Sequence, residues 1–278
     1  MGLASDLYRV RDGTHELYRN REETMQWSER TWSEFAADLA AARQSAILPV
    51  GATEQHGPHL GTGMDAVLAD RLCAAVAKRT SVPALPTLAY GCSLGHSRRW
   101  PGTIALQPIT LITLVKEIGD WAYHSGVRRL FIVNTHVTNA APLRCALEML
   151  RAEHDDMMVA VFHSALISTR VREAHFADGN DWHANAAETS LMMAVAAEIV
   201  RPERIAAADD PDRTDGLVFA HPVNRTSLNG VTGAPSRASA EQGRELFQWM
   251  VEDLAQIVER GMREEPPLGH SYFSRVTG

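Results

Sequence analysis

The chain has 278 residues, with 34 Asp and Glu against 27 Lys and Arg, a formal charge of −7, and 45% apolar and 22% charged residues. That composition supplies a full-sized core and excludes a disordered chain, and the acidic balance, with no basic run beyond Arg98-Arg99 and Arg128-Arg129, speaks against a nucleic-acid surface. No apolar stretch approaches the ~18 residues of a membrane span, and the first residues are too charged for a secretion signal, so a cytoplasmic protein that binds no membrane is expected. Three scattered cysteines without C-x-x-C spacing indicate neither a disulfide framework nor a thiolate metal site.

In chain order, a short apolar run at 45–50 (SAILPV) reads as a strand and a helical pattern follows at 65–78. A second run at 83–89 precedes a helix at 109–124, a third at 129–134 (RLFIVN) precedes a helix at 141–153, and a fourth at 157–163 closes the set. Continuous apolar runs suit strands buried on both faces of a parallel sheet. Further helices are expected at 187–200 and 240–262, separated by a Pro-, Gly- and Asp-rich stretch, 201–239, that reads as a long structured loop, with a tail from about 263. The fold expected is α/β, a three-layer sandwich with a mainly parallel sheet and helices on both faces, formed by residues 1–278 as one domain.

Chemistry gathers where these elements end. GATEQHGPHLGTGMD, 51–65, leaves the first strand and places Glu54, His56, His59 and Asp65 within twelve residues, at the end of the sheet where open α/β folds hold their ligands. Carboxylate with imidazole is the donor set of zinc, manganese and similar divalent ions. In extended chain Glu54 and His56 cannot aim their side chains the same way, and two neighbouring ions would reconcile them. NTHVTN, 134–139, puts His136 at the end of another buried strand, and DWHANAAETS, 181–190, carries His183 and Glu188 into a helix start, where an acid also suits the helix dipole.

Two other patterns carry less. GCSLG at 91–95 satisfies the G-x-S-x-G pattern of a serine hydrolase, with Asp181 and His183 following Ser93 in triad order. A nucleophile elbow needs a strand-to-helix turn, whereas Ser93 is followed by charge and Pro101, and Asp181 and His183 stand two apart; a serine hydrolase is thus the lesser alternative. GTGMDA, 61–66, fits a loose dinucleotide fingerprint but lacks the ribose-binding acid ~20 residues on.

TEQHGPH with an Asp eleven residues after its Glu, a strand-end Asn-x-His and a late HA-x3-ETS, with weaker echoes in WPGTIAL and NGVTGAPSRASAEQG, stand in an order that resembles the creatininase family of metal-dependent amidohydrolases, from about Thr31 to Met262. The resemblance implies an α/β sandwich, a binuclear site at the carboxyl ends of the strands and a homo-oligomer, commonly a hexamer. It implies Glu54, His56, Asp65 and His136 as metal ligands with Asp65 bridging, Glu188 as a ligand or water-directing acid, and His183 as a proton shuttle. It also implies two divalent ions per subunit, zinc or manganese first and iron next, and attack of a bridging hydroxide on a non-peptide C–N bond in a small cyclic amide, lactam or formamide.

The chain departs from the family pattern at named places. Thr138 stands where creatininase proper has a metal-binding Glu, Val137 and Thr138 replace the glycine pair of many relatives, and Ala186 replaces an acid. Creatinine itself is therefore not the expected substrate, and a mononuclear or non-catalytic descendant that binds a small ligand is the alternative reading. Trp182, Trp100, Thr138 and His96, beside or inside these motifs, are the expected substrate contacts, an indole being suited to stack on a planar amide. Tyr272 and Phe273 in the tail are expected to pack on a neighbouring subunit.

Overall fold

A computed structural model describes residues 25–96 and 98–269, so the tail residues Tyr272 and Phe273 lie outside the described residues. In chain order the elements are α1 (Phe35–Ala41), β1 (Ser45–Val50), α2 (Met64–Thr80), α3 (Pro108–His124), β2 (Arg129–Asn134), α4 (Ala140–Glu153), β3 (Met158–His163), α5 (Thr169–His175), α6 (Ala186–Val195), α7 (Pro202–Ile205), α8 (Val223–Thr226) and α9 (Ala240–Gly261). The strands form a parallel sheet in the order β1-β2-β3, in a register that pairs Ser45 with Arg129 and Arg129 with Met158. Their last residues, Val50, Asn134 and His163, therefore lie level along one end of the sheet.

The expected second strand, 83–89, lies along the free side of β1 but bridges it only at Ala84 and Leu88. The reason is local. Ile47 and Gly51 both donate backbone N–H groups to this segment, at 2.9 Å each, but Pro49 between them has no N–H to give. In return Leu85 N donates to Ile47 O at 2.8 Å and Leu88 N to Pro49 O at 3.0 Å, a three-residue step in place of the two-residue step of a ladder, so the pairing is reduced to isolated bridges.

Alternation along the strands divides the core in two. Ile47, Phe131 and Val133 pack with Leu68, Leu72 and Val76 of α2, Leu191 of α6 and Met250 and Leu254 of α9. Leu48, Val50, Leu130 and Ile132 pack on the other face with Leu111 and Val115 of α3 and Leu143 and Leu150 of α4. Helices thus cover both faces of the sheet, as the three-layer reading requires. Helix starts follow their sequence signals: Pro108 opens α3, Ser239 caps α9 by accepting the Gln242 N–H, and Asn185 caps α6 by accepting that of Glu188.

Helix α6 stops at Val195 instead of running on to 200. Ala196 leaves helical geometry, and the following turn is drawn back to the β1–α2 loop, where Gly61 donates to Ile199 O at 2.9 Å and Leu60 bridges Val200. The 201–239 stretch is ordered as a loop with short helices in it. Asp210 is buried there and accepts from Ser227 Oγ at 2.9 Å, from Leu228 N at 2.7 Å and from Arg213 at 2.5 Å. Antiparallel bridges join Asp210 to Gly233 and His183 to Thr232, carrying the loop back to the end of the sheet.

Where α9 crosses α6, Gly243 lies so close to the Ser190 carbonyl that a Cβ would stand 1.8 Å from its oxygen. Gly243→Ala is expected to lower stability by about 1–3 kcal/mol through overpacking. Urea unfolding followed by circular dichroism should show an earlier midpoint with an unchanged slope; an unchanged midpoint would contradict this packing.

Candidate metal centre

The site is built at the carboxyl end of the sheet, beginning with Gly51 after β1. A Cβ on Gly51 would stand 2.6 Å from Ala66 Cα, so the glycine lets the start of α2 lie directly on the strand end. Asp65 occupies the first turn of that helix, where the dipole favours an acid, and Thr135 Oγ1 donates to its carbonyl at 2.8 Å. The intervening loop is not extended. Glu54 N–H bonds Thr62 O at 2.8 Å and His56 bridges Leu60, and this irregular path sends the Glu54 and His56 side chains into one cleft despite their spacing. His56 Nδ1 donates to Glu54 O at 3.1 Å, which leaves Nε2 facing Asp65 Oδ1 at 3.4 Å.

After β2, the two asparagines of NTHVTN brace the histidine between them. Asn134 Nδ2 donates to His136 O at 2.7 Å and its Oδ1 accepts from His136 N at 3.1 Å. Asn139 accepts from Cys92 N at 2.8 Å and donates to Gly51 O at 3.0 Å, tying this loop to the other strand end. So held, His136 places Nδ1 3.1 Å from Asp65 Oδ2 and Nε2 3.3 Å from Glu54 Oε2.

At the start of α6, Glu188 Oε2 accepts the N–H of Ala184, just before the Asn185 cap, at 2.6 Å, and the side chain also lines the cleft. His183 Nε2 lies 2.7 Å from Glu54 Oε1 and its Nδ1 2.6 Å from Gly230 O, each within hydrogen-bond distance. Gly230 has φ +87°, and a Cβ there would meet Gln55 Oε1 at 2.0 Å, so only glycine brings this carbonyl in. Donor atoms of Glu54, His56 and His183, and again of His56, Asp65 and Glu188, lie within 4.8 Å of one another.

Glu54, Asp65 and Glu188 are all buried, as are His56 and His136. Burial pushes the Glu54 carboxyl up, but His136 and His183 outweigh it and hold it at about 2. Asp65 is likewise held far below the usual carboxylate range, burial being overridden by His56 and His136. Burial would push the imidazoles down, yet Asp65 raises His56 to about 10, and Glu54 with Asp65 raises His136 to about 9. Burial raises Glu188. Two imidazolium ions thus neutralise the carboxylates where cations could. Glu54 Oε2 and Asp65 Oδ2 are nevertheless buried without a hydrogen-bond partner, which fits carboxylate oxygens that serve a metal.

The cleft above this cluster has a volume of about 180 Å³ and is lined further by His96, Thr138, Asp181, Trp182 and, from the 201–239 loop, His221 to Val223. Trp182 is held edge-on between His163, His175 and Phe176, at ring distances of 5.3–6.2 Å. Trp100 is not among the lining side chains; its ring sits 6.2 Å from that of His96 with the Arg99 guanidinium 4.9 Å from its centroid. Thr138 donates to Cys92 O and stands 2.5 Å from His136 Nε2, against the carboxylate–histidine cluster.

Ser93 lies in a turn and not at a strand-to-helix elbow, and His183 faces Glu54 instead of it. His136 Nε2 lies 3.2 Å from Ser93 Oγ, but Cys92 O at 2.8 Å takes its proton, so it is a donor there and not a base for serine. Sequence reading passed over Gln55 and His163. His163 ends β3 level with Asn134, and a histidine closing an apolar strand was the available signal.

A family model described as creatinine amidohydrolase matches residues 28–258. The creatinine amidohydrolase of Pseudomonas putida is 32% identical over 257 residues, covering 86% of this chain and 96% of its own. The mycofactocin precursor peptide peptidase of Mycobacterium tuberculosis is 32% identical over 244 residues, covering 82% of this chain and 89% of its own. Solved structures of a zinc–zinc creatininase mutant and of a manganese creatininase each superpose with a TM-score of 0.77 at 28% identity, covering 87% of this chain and all of theirs.

The raised His56 and His136 values set the pH behaviour of the metal-free protein. Each imidazole gains stability from its folded partners that is complete below about pH 6.5 and is lost as pH rises through about 9 to 10. The metal-free melting temperature should therefore fall across that range. Zinc loading should flatten the fall and release about two protons per subunit near pH 7.5, read by calorimetry in buffers of different ionisation enthalpy. A flat metal-free profile would show that these rings are not protonated.

Proposed function

Because the chain belongs to the creatininase family, we propose that its buried cluster is a binuclear metal centre that hydrolyses the C–N bond of a small amide. Membership makes the chain a metal-dependent amidohydrolase. The observation that carries the binuclear reading is Asp65, whose two buried oxygens each face a different imidazole, Oδ1 that of His56 and Oδ2 that of His136. A carboxylate so divided suits a bridge. Glu54, Asp65 and His136 would hold one ion and His56, Asp65 and Glu188 the other, with zinc or manganese the metals that structures of relatives support.

Ions bound there supply a water acidified toward hydroxide near neutral pH and a Lewis acid for the amide carbonyl. The residues do the rest. Glu188, its Oε2 held by the Ala184 N–H, takes and returns a proton at the reacting water as a carboxylate. His183 lies between Glu54 and Gly230 O and passes its Nε2 proton to the departing nitrogen, without which an amide nitrogen is too poor a leaving group. Trp182, locked by its aromatic neighbours, gives the substrate plane a face to stack on.

The substrate favoured is a lactam, another small cyclic amide or a formamide, since ring opening and deformylation need the same attack. A second reading is favoured by the relatives named as precursor peptide peptidases, which would place the scissile amide in a short peptide. The proposal also takes the described residues as one domain, in a cytoplasmic homo-oligomer.

His56→Ala and Asp65→Ala should each abolish turnover in a panel of lactams, formamides and short peptides. Elemental analysis should fall from about two ions per subunit to about one for His56→Ala and toward none for Asp65→Ala. Retained metal and activity in both would defeat the assignment. His183→Asn should keep both ions and lose about 10²- to 10⁴-fold in kcat; an unchanged kcat would remove His183 from proton transfer.

A further inference from the structure

One wall of the cleft carries a donor whose orientation is fixed by its surroundings. The Gln55 side chain is buried, and its Oε1 accepts the Gly57 N–H at 2.9 Å. That assignment makes the other amide atom Nε2, which lies 3.1 Å from Gly230 O and 2.8 Å from His96 Nδ1. The flipped amide would set an oxygen against Gly230 O and a nitrogen against the Gly57 N–H, both repulsive. An amide nitrogen donates and does not accept. His96 Nδ1 must therefore receive the bond with its lone pair, and the single hydrogen of the neutral ring resides on Nε2.

The rest of the ring's setting says where that hydrogen points. Nδ1 is the nitrogen on the Glu54 side, 3.3 Å from Oε1, so Nε2 lies on the far side of the ring from the metal cluster. His96 is buried except where it lines the cleft, its ring 4.6 Å from that of His183, and Nε2 bonds no protein atom among the described residues. Gly230, the residue whose missing side chain admits Gln55, also receives His183, so one carbonyl positions both the proton-transferring histidine and, through Gln55, His96.

We propose that His96 is a substrate-binding residue that presents a fixed Nε2–H to an oxygen acceptor of the substrate other than the scissile carbonyl. The preferred substrates then carry a second carbonyl or a carboxylate beside the amide that is cut, as in an imide or an N-acyl amino acid, in preference to simple lactams. Gln55 is the positioning residue that sets the tautomer. The inference rests on the metal-amidohydrolase reading for the place of the scissile amide, but the tautomer is independent of it.

The test uses full-length zinc-loaded protein and the probe pair succinimide and 2-pyrrolidinone, equal in ring size and differing by one carbonyl. Calorimetry should show succinimide binding about tenfold tighter to the wild type. His96→Gln, whose side-chain N–H reaches toward the place of Nε2, should retain the preference, and His96→Phe should lose it with zinc content unchanged. Nitrogen NMR of ¹⁵N-histidine-labelled protein should show His96 with hydrogen on Nε2, and Gln55→Glu should move hydrogen onto Nδ1. Equal affinity for the two probes, binding of neither, or a wild-type His96 with hydrogen on Nδ1 would overturn the proposal. A wild type that takes up no zinc yet keeps the tautomer and the probe preference counts against the metal centre and supports His96.

Discussion

Three carboxylates withdrawn from water into one cleft are the constraint to which the rest of this molecule answers. Glu54 and Asp65 come from the segment that joins β1 to α2 and Glu188 from the start of α6, and taking any of them out of water costs several kcal/mol unless positive charge or hydrogen bonds compensate. The chain brings His56, His136 and His183 to them, and turns helix N-termini and backbone N–H groups toward Asp65 and Glu188. The asparagines, the glycines at 51 and 230 and the Thr135 hydroxyl then appear as means of holding charged groups at distances that solvent would not otherwise permit. Bare charges so costly to assemble together are what the proposed cations would offset.

Much of the fold was legible because burial on both faces writes itself as continuous apolar runs. SAILPV and RLFIVN read as strands and are β1 and β2 to the residue, and Pro108 and Ser239 mark the starts of α3 and α9. What was illegible depended on partners remote in sequence. The segment 83–89 has a strand's composition, but its pairing is decided by Pro49 on another element, and α6 ends where the β1–α2 loop captures Ile199. Helix α5 is seven residues long and held chiefly by its neighbours, too short for its period to stand out.

The site was legible where one short segment holds several donors and opaque where one atom does. Glu54, His56 and Asp65 announce themselves together, and His136 and Glu188 follow from strand-end and helix-start positions. The argument from extended geometry, that Glu54 and His56 must diverge, failed because the loop turns between them. Trp100 adjoins a motif but stays outside the cleft, while Gln55, in the middle of that first motif, drew no notice because its significance is a tautomer on a residue 41 positions away. Backbone carbonyls such as those of Cys92 and Gly230 leave no signature in a sequence except, for the second, the need for glycine.

The bond from His183 to Glu54 joins residues 129 positions apart. Where contacts of that span close after the transition state, as their loop-closure entropy favours, the cluster is completed on a frame that has already folded. A ligand that favours the finished cluster then leaves the rate of folding almost untouched and acts on the rate of unfolding. For this protein, cations would govern how long a molecule lasts more than how quickly it is made.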